Sequence, residues 1–173
     1  MRVGRNLKVK IGCLEKYQDI FQRDNINIVL LDKDLDAIER VKNVLIGVNS
    51  SYLFPTDNRE LLYQYIKKII NNGYNFILAD GVQDIGMMSL YANDFVSKTA
   101  YTSTIGLIPS HRGGSLIRNL VEFSFEFAKE KGMEKHRAEV HKSNEKWLNF
   151  LLRCKFEIES ETENDTYIIV KDL

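Results

Sequence analysis

Apolar residues recur along the chain with two different periods, which predicts a domain that contains both strands and helices. Short runs rich in β-branched and aromatic residues are typical of strands. These runs cover residues 26–31, 75–79, 82–92, 100–108, 155–161 and 166–171. Between them, apolar residues recur every three or four positions, as on one face of a helix. Such helical spacing covers residues 14–21, 35–47, 60–70 and 115–131. The pattern predicts an α/β fold.

Turn and cap residues separate these segments. Asp80-Gly81 is a strong signal for a tight hairpin between two strands. Asp32 and Asp34 are both suitable N-caps for a helix that we expect Gly47 to close. Asp57, with Glu60 three residues later, resembles a capping box and predicts the start of the next helix.

The composition is that of one ordinary globular domain. The chain has 173 residues, 44% of them hydrophobic, and 24 basic residues balance 24 acidic ones. A nucleic-acid partner is therefore not expected, because no net positive field would attract it. Only two cysteines occur, and no secretory or membrane-length apolar segment is evident. We expect a cytoplasmic protein without a membrane partner, with residues 1–25 as an N-terminal helix or arm and 26–173 as the single domain.

The segment that carries most chemical information follows the strand 100–108. Pro109 must end or distort that strand, and His111-Arg112-Gly113-Gly114-Ser115 then leads into the helix 115–131. Unpaired N–H groups at a helix start attract anions, and two glycines let the backbone approach a phosphate closely. The alternative is that the glycines only turn a corner. The P-loop pattern is absent, and so is the third glycine of the dinucleotide fingerprint.

The stretch 105–123 resembles the acetyl-CoA motif of the GCN5-related N-acetyltransferase family. In that family a strand runs into an Arg-Gly-x-Gly-x-Gly/Ala loop, whose amides hold the pyrophosphate of CoA. Here Ser115 stands at the central glycine and Ile117 at the last Gly/Ala. A second block, 138–156, is similar to the family's next strand, helix and strand, with Leu151 where the family usually has tyrosine.

The resemblance implies a mixed, mostly antiparallel sheet of six or seven strands with helices on both faces. It also implies acetyl-CoA as cosubstrate, without a metal. The pantetheine arm would lie on the strand 100–108, where Gly106 or Pro109 is expected to form a bulge that spreads the sheet. The residues that it assigns to the cofactor are Ile105, Gly106, Leu107, His111, Arg112, Gly113, Gly114, Ser115, Leu116, Ile117 and Asn144.

The implied reaction is transfer of an acetyl group to a primary amine of a small molecule or a peptide N-terminus. Glu139 is the candidate general base, as in the ribosomal-protein N-terminal acetyltransferases. His141, on the same face of its strand, is the alternative base. The alternative function is a domain that binds CoA or another anion for sensing or assembly without turnover. A homodimer is compatible with either function.

Overall fold

The computed structural model describes residues 12–48, 52 and 58–173, and it forms one sheet with helices on both of its faces. The helices are α1 (Gly12–Gln22), α2 (Leu35–Val48), α3 (Arg59–Asn72), α4 (Leu116–Glu130) and α5 (Glu145–Arg153). The strands are β1 (Asn27–Leu30), β2 (Tyr74–Ala79), β3 (Asp84–Asp94), β4 (Thr99–Leu107), β5 (Lys135–His141), β6 (Glu157–Glu161) and β7 (Thr166–Asp172). Within this part of the chain, no helix is both long and apolar enough to span a bilayer.

The seven strands are ordered β1-β2-β3-β4-β5-β7-β6. Five of the six neighbouring pairs are antiparallel, and only β4 and β5 run parallel. The predicted mixed, mostly antiparallel sheet is therefore confirmed. The parallel pair lies in its middle, where α4 connects the end of β4 to the start of β5.

Alternating side chains of the central strands divide the core between the two faces. Phe76 and Met88 pack with α1 and α4, whereas their neighbours Ile77 and Met87 pack with α2 and α3. Alternation of this kind follows from the two-residue period of a strand. A third cluster joins α5 to β5 and β7. The helices are thereby fixed on both sides of the parallel pair.

Helix α1 is fastened to the far end of α4 by one carboxylate. Glu130 accepts hydrogen bonds from the backbone N–H groups of Gly12, at 3.0 Å, and Cys13, at 2.9 Å. These bonds hold the pKa of Glu130 below its ordinary value. Tyr17 then packs edge-on against Phe123 of α4, with ring centroids 5.3 Å apart. The predicted helix near residues 14–21 is present, and its buried face belongs to the α1–α4 side of the core.

Two predicted boundaries are wrong in detail. The β2–β3 connection is a four-residue loop, not a tight turn at Asp80-Gly81, so β3 begins at Asp84. The Asp80 side chain causes this, because it accepts hydrogen bonds from the N–H groups of Val82 and Gln83, both at 2.9 Å. Gly47 lies inside α2, where a Cβ would come within 3.2 Å of the Ile108 side chain.

The capping residues of α2 and α3 differ in how well the sequence predicted them. Of the two candidate caps, Asp34 accepts a hydrogen bond from the N–H of Ala37 at 2.9 Å and caps α2. Helix α3 is capped by Asn58, which accepts from the N–H of Leu61 at 3.0 Å. The expected cap, Asp57, lies outside the described residues, and the prediction was one position early.

Candidate active site

The parallel strands β4 and β5 separate halfway along their length. They pair only from Thr99 to Thr102 of β4, against Lys135 to Ala138 of β5, and β5 then continues to His141 beside β7. Among the described residues, no strand pairs with this edge of β4 after Thr102. The parting of the strands opens a gap through the middle of the sheet.

A β-bulge in β4 lies where this gap begins. Thr102 pairs with Leu90 of β3 and Thr104 pairs with Ser89, so Ser103 is the extra residue. The expected position of the bulge, at Gly106 or Pro109, is therefore wrong. A bulge bends its strand and increases the local twist, which turns the second half of β4 away from β5. The Tyr65 hydroxyl from α3 lies 3.0 Å from Ser103 Oγ and also contacts Thr104 Oγ1.

A cavity of about 780 Å³ passes through the gap and is lined from both faces of the sheet. Ile117 of α4 and Leu151 of α5 line it on one face. Tyr65, Glu139 and His141 line it on the other. The size is within the range of small-molecule and cofactor sites. Two molecules could therefore meet in this cavity from opposite sides of the sheet.

The loop before α4 has the form of an anion site. Gly113 has φ +91°, and an added Cβ at Gly113 or Gly114 would meet no atom within 4 Å. Ser115 is the N-cap of α4, but its side chain makes no capping hydrogen bond. The first N–H groups of α4 thus remain available beside open space that a phosphate could fill. This arrangement is physically suited to the pyrophosphate of CoA.

Arg112 and His111 both make contacts within the fold, and of the two Arg112 lines the cavity. Arg112 donates from Nε to the carbonyl oxygen of Leu107, at 2.9 Å, and from Nη2 to that of Val48 at the end of α2. The charge of Arg112 stays near the glycine loop, while its guanidinium group donates hydrogen bonds to these two backbone carbonyl oxygens. The His111 ring lies 3.6 Å from Asp80 and does not line the cavity. Sequence reasoning gave both residues directly to the cofactor.

The other residues expected at the cofactor are divided between the cavity and the core. Ile105, Gly106, Leu107, Gly113, Gly114, Ile117 and Asn144 line the cavity. Ser115 and Leu116 do not line it, and Leu116 belongs to the core beneath α4.

Asn144 stands at the start of α5 without capping it. It is the N-cap residue, yet its side chain makes no capping hydrogen bond, and it lines the cavity. Asparagine at an N-cap ordinarily accepts from the second or third N–H of the helix. Its amide, which can both donate and accept, is thus not used in the cap and faces the same space as β4.

Glu139 is exposed to the cavity and held by two hydroxyl groups. Thr166 Oγ1 donates to its Oε1 at 2.5 Å, and the Tyr101 hydroxyl donates to its Oε2 at 3.4 Å. Burial, together with the Glu139 carboxylate, raises the pKa of Tyr101 to about 12. Tyr101 therefore keeps its proton and acts as a hydrogen-bond donor. Each oxygen of Glu139 retains a lone pair for a further partner.

His141 lies on the same face of β5, beside the start of α5. Its Nδ1 accepts a hydrogen bond from the N–H of Ser143 at 3.3 Å and lies 2.7 Å from Ser143 Oγ. The Tyr52 ring lies 5.9 Å from the imidazole, centroid to centroid. A neutral imidazole whose Nδ1 accepts carries its proton on Nε2. In this tautomer the Nε2–H of His141 is a hydrogen-bond donor.

Several cavity residues were not found by sequence reasoning. Basic side chains at its edge are Arg118 of α4 and Lys146 and Arg153 of α5. The spacing of Lys146 and Arg153, seven residues apart, was a usable signal, because it places both on one helical face. Trp147 of α5 is only partly buried, stacks on Phe150 with ring centroids 5.1 Å apart, and lines the cavity.

Fold and site together define an α/β protein with a cavity in the gap between two parallel strands, beside a glycine loop at a helix start. Residues 40–156 match the model of the Acetyltransferase (GNAT) family, and the chain belongs to that family. No protein of curated function matches the sequence.

Solved structures show the same fold. The IAA acetyltransferase from Bacillus cereus ATCC 14579 is 18% identical with TM-score 0.64, and the similarity covers 86% of this chain and 99% of that one. The GNAT domain of S. lividans PAT is 15% identical with TM-score 0.70, covering 86% and 90%. The PaiA N-acetyltransferase from Thermoplasma acidophilum, solved with coenzyme A, is 16% identical with TM-score 0.67, covering 86% and 99%. At these identities the similarity concerns the fold.

Proposed function

We propose that this protein transfers an acetyl group from acetyl-CoA to a primary amine of a small molecule or of a peptide N-terminus. The observation that carries the proposal is the cavity through the sheet. It reaches the glycine loop and the start of α4 on one side, and Glu139 and His141 on the other. Family membership supports an acyltransferase, and a neighbour of the same fold was solved with coenzyme A.

The donor fits the α4–α5 side of the cavity. The N–H groups at the start of α4 and the open space at Gly113 and Gly114 suit the pyrophosphate. The edge of β4 that follows Thr102 offers backbone groups to the amides of the pantetheine arm. Asn144 faces the same space and supplies a side-chain donor and acceptor for that arm.

The acceptor amine reaches the thioester from the side of Glu139. Its nitrogen lone pair forms the new C–N bond to the carbonyl carbon, the C–S bond breaks, and the sulfur leaves with that electron pair. The proton lost by the nitrogen goes to Glu139, directly or through one water. Because His141 presents Nε2–H, we assign it the role of a donor to the reacting groups and Glu139 the role of base.

The departing thiolate has no tyrosine at the family's usual position. Leu151 stands there, buried and without a proton to give. A thiol has an ordinary pKa of about 8.5, so the thiolate can leave as such and take its proton from water. The main contributions of the protein are then alignment of the two substrates and stabilisation of developing charge.

Release of free CoA thiol, followed across a panel of amines with acetyl-CoA as donor, tests the proposal. We expect turnover with at least one amine, and a Glu139→Gln variant that retains CoA affinity but loses most of kcat. Binding of CoA by calorimetry without turnover of any amine would instead favour the non-catalytic CoA-binding role. Absence of CoA binding would refute both.

A further inference from the structure

The cavity continues past the point where β4 and β5 separate. Thr102 and His136 belong to the paired segments of these strands, and both line the cavity. Beneath α4, Ser124, Phe125 and Phe156 line the same end. We call the space bounded by these five residues the inner chamber. It lies beyond the bulge, on the α4 side of the sheet.

The walls of the inner chamber are mainly aromatic. The rings of Phe125, His136 and Phe156 form a triangle with centroids 5.4, 5.6 and 5.7 Å apart. Burial, with a smaller contribution from the Lys171 cation, lowers the pKa of His136 to about 3, so its imidazole is uncharged at neutral pH. Lys171 Nζ lies 5.3 Å from the centre of the Phe125 ring, and Lys171 does not line the cavity.

The polar atoms of the chamber are mostly satisfied within the protein. Ser124 Oγ donates to the carbonyl oxygen of Val121 at 2.6 Å, and Thr102 Oγ1 lies 2.7 Å from His136 Nε2. His136 Nδ1 is fully buried and has no hydrogen-bond partner among the described residues. The chamber therefore presents uncharged and largely apolar surface to a ligand.

The direction in which acyl-CoA would lie along β4 determines which of its groups would occupy the inner chamber. This part of the argument rests on the proposed function. In that arrangement the phosphates of CoA lie at Gly113 and Gly114, and its pantetheine arm follows β4 back towards Thr102. The segment from Leu107 to Thr102 spans five residues, about 17 Å of strand. The carbonyl is then placed near the bulge at Ser103, and the carbons beyond it point into the chamber. An acetyl group has only one such carbon.

We propose that the inner chamber is an acyl subsite, and that the preferred donor carries an uncharged aliphatic acyl group longer than acetyl, of about four carbons. A dicarboxylic acyl group such as succinyl would place its carboxylate against uncharged walls. Burial of an unpaired charge is strongly unfavourable, so the inner chamber disfavours this class of acyl group. Each methylene that leaves water for an apolar site is expected to strengthen binding about fourfold.

The test compares CoA, acetyl-CoA, propionyl-CoA, butyryl-CoA and succinyl-CoA with the wild-type protein. We expect calorimetry to show butyryl-CoA, with two more methylenes than acetyl-CoA, binding about 15-fold more tightly, and succinyl-CoA binding no more tightly than free CoA. With any amine that is turned over, kcat/KM should be higher for butyryl-CoA than for acetyl-CoA. Equal affinity for acetyl-CoA and butyryl-CoA would overturn the acyl subsite.

A pair of substitutions at one position tests the location of the subsite. Ser124→Leu fills the chamber and should lower the ratio of butyryl-CoA to acetyl-CoA affinity at least tenfold. Ser124→Ala removes the same hydroxyl without filling space and should keep the wild-type ratio. An unchanged ratio in Ser124→Leu would place the acyl chain elsewhere and overturn the assignment. If Ser124→Leu does not fold, the wild-type comparison alone decides.

The two proposals fail in different ways. If the protein turns over acetyl-CoA but neither binds nor turns over butyryl-CoA, the acyl subsite is overturned and the acetyltransferase proposal stays intact. Absence of thiol release from every donor would overturn the transferase proposal. The calorimetric comparison of acyl chains would then still test the subsite.

Discussion

The glycine loop before α4 allows a phosphate site to be tested separately from backbone strain. Gly113 and Gly132 lie at opposite ends of α4, with φ +91° and +83°, and an added Cβ at either would meet no atom within 4 Å. Alanine at both positions therefore introduces the same kind of strain and no steric clash. Only Gly113 adjoins the proposed phosphate site, so Gly132→Ala is the matched control for Gly113→Ala.

The expected effects follow from these two facts. An alanine held at positive φ costs about 1–2 kcal/mol, which for a chain of this size lowers Tm by about 2–8 °C in both variants. The Gly113 Cβ would also occupy the space that a phosphate needs and prevent one charge-assisted hydrogen bond. A bond of that kind contributes about 1.5–3 kcal/mol, so CoA affinity should fall about 10- to 150-fold in Gly113→Ala alone.

Calorimetric titration with CoA and thermal melting of both variants measure the two quantities independently. Gly114→Ala extends the comparison, because Gly114 has no positive φ and is open to solvent. Gly114→Ala should keep the wild-type Tm but bind CoA more weakly than the wild-type protein does. Equal CoA affinity in Gly113→Ala and Gly132→Ala would show that the phosphates bind elsewhere.

Four further outcomes are expected. Thr166→Val, which cannot donate to Glu139, should lower kcat about fivefold or more with little change in KM for the donor, from loss of about 1 kcal/mol of alignment. Thr166→Ser should restore the rate, and a serine variant as slow as the valine variant would refute this positioning role. Glu130→Gln should lower Tm at pH 7 by about 2–4 °C through a weakened cap on α1. Because the pKa of Glu130 is lowered in the folded protein, the stabilising effect of its carboxylate is lost as pH falls through that lowered value. The Tm difference between Glu130→Gln and wild type should therefore vanish in melts at acidic pH. A Tm difference that stays constant with pH would contradict this role of Glu130. Burial, with Glu130, raises the pKa of the Cys13 thiol to about 12, so mass spectrometry should find it unalkylated by iodoacetamide at pH 8 until the protein unfolds; rapid labelling of the native protein would refute its burial. Gly86→Ala would press its Cβ against the Leu107 side chain and place it 2.9 Å from the carbonyl oxygen of Gly106, both in β4. The free energy of unfolding, measured by chemical denaturation, should fall by about 1–3 kcal/mol. An unchanged denaturation midpoint would contradict this, because it would mean that β4 can shift to make room.

The sequence was sufficient for the architecture because local patterns and long-range packing agree there. The apolar stripe of α4 has one arrangement that buries it, and the nearly continuous apolar runs of β2 and β3 are typical of strands that are covered on both faces. The glycine loop was also predictable, since a strand, a proline, two glycines and a helix lie in direct succession. No such succession points to Tyr65, which reaches the bulge from 38 residues away.

Details that depend on tertiary partners could not be predicted. Nothing in the segment around Ser103 distinguishes the bulged residue from its neighbours, because a bulge is a property of the pairing with β3. Arg112 looks like a phosphate ligand in sequence, but the carbonyl that it reaches, in Val48, is 64 residues away. The role of Asn144 could not be decided either, because an asparagine that caps a helix and one whose side chain faces a cavity look alike in sequence.

The hydrogen bonds of Arg112 mechanically connect the two sides of the sheet. One side chain joins the last residue of β4 to the last residue of α2, and α2 packs on the face where Glu139 and His141 lie. We therefore expect displacement of the glycine loop to shift the end of α2, and displacement of α2 to shift the loop. Thermodynamic reciprocity then requires that, to whatever extent CoA at the loop alters the affinity for an amine near α2, the amine alters the affinity for CoA by the same factor.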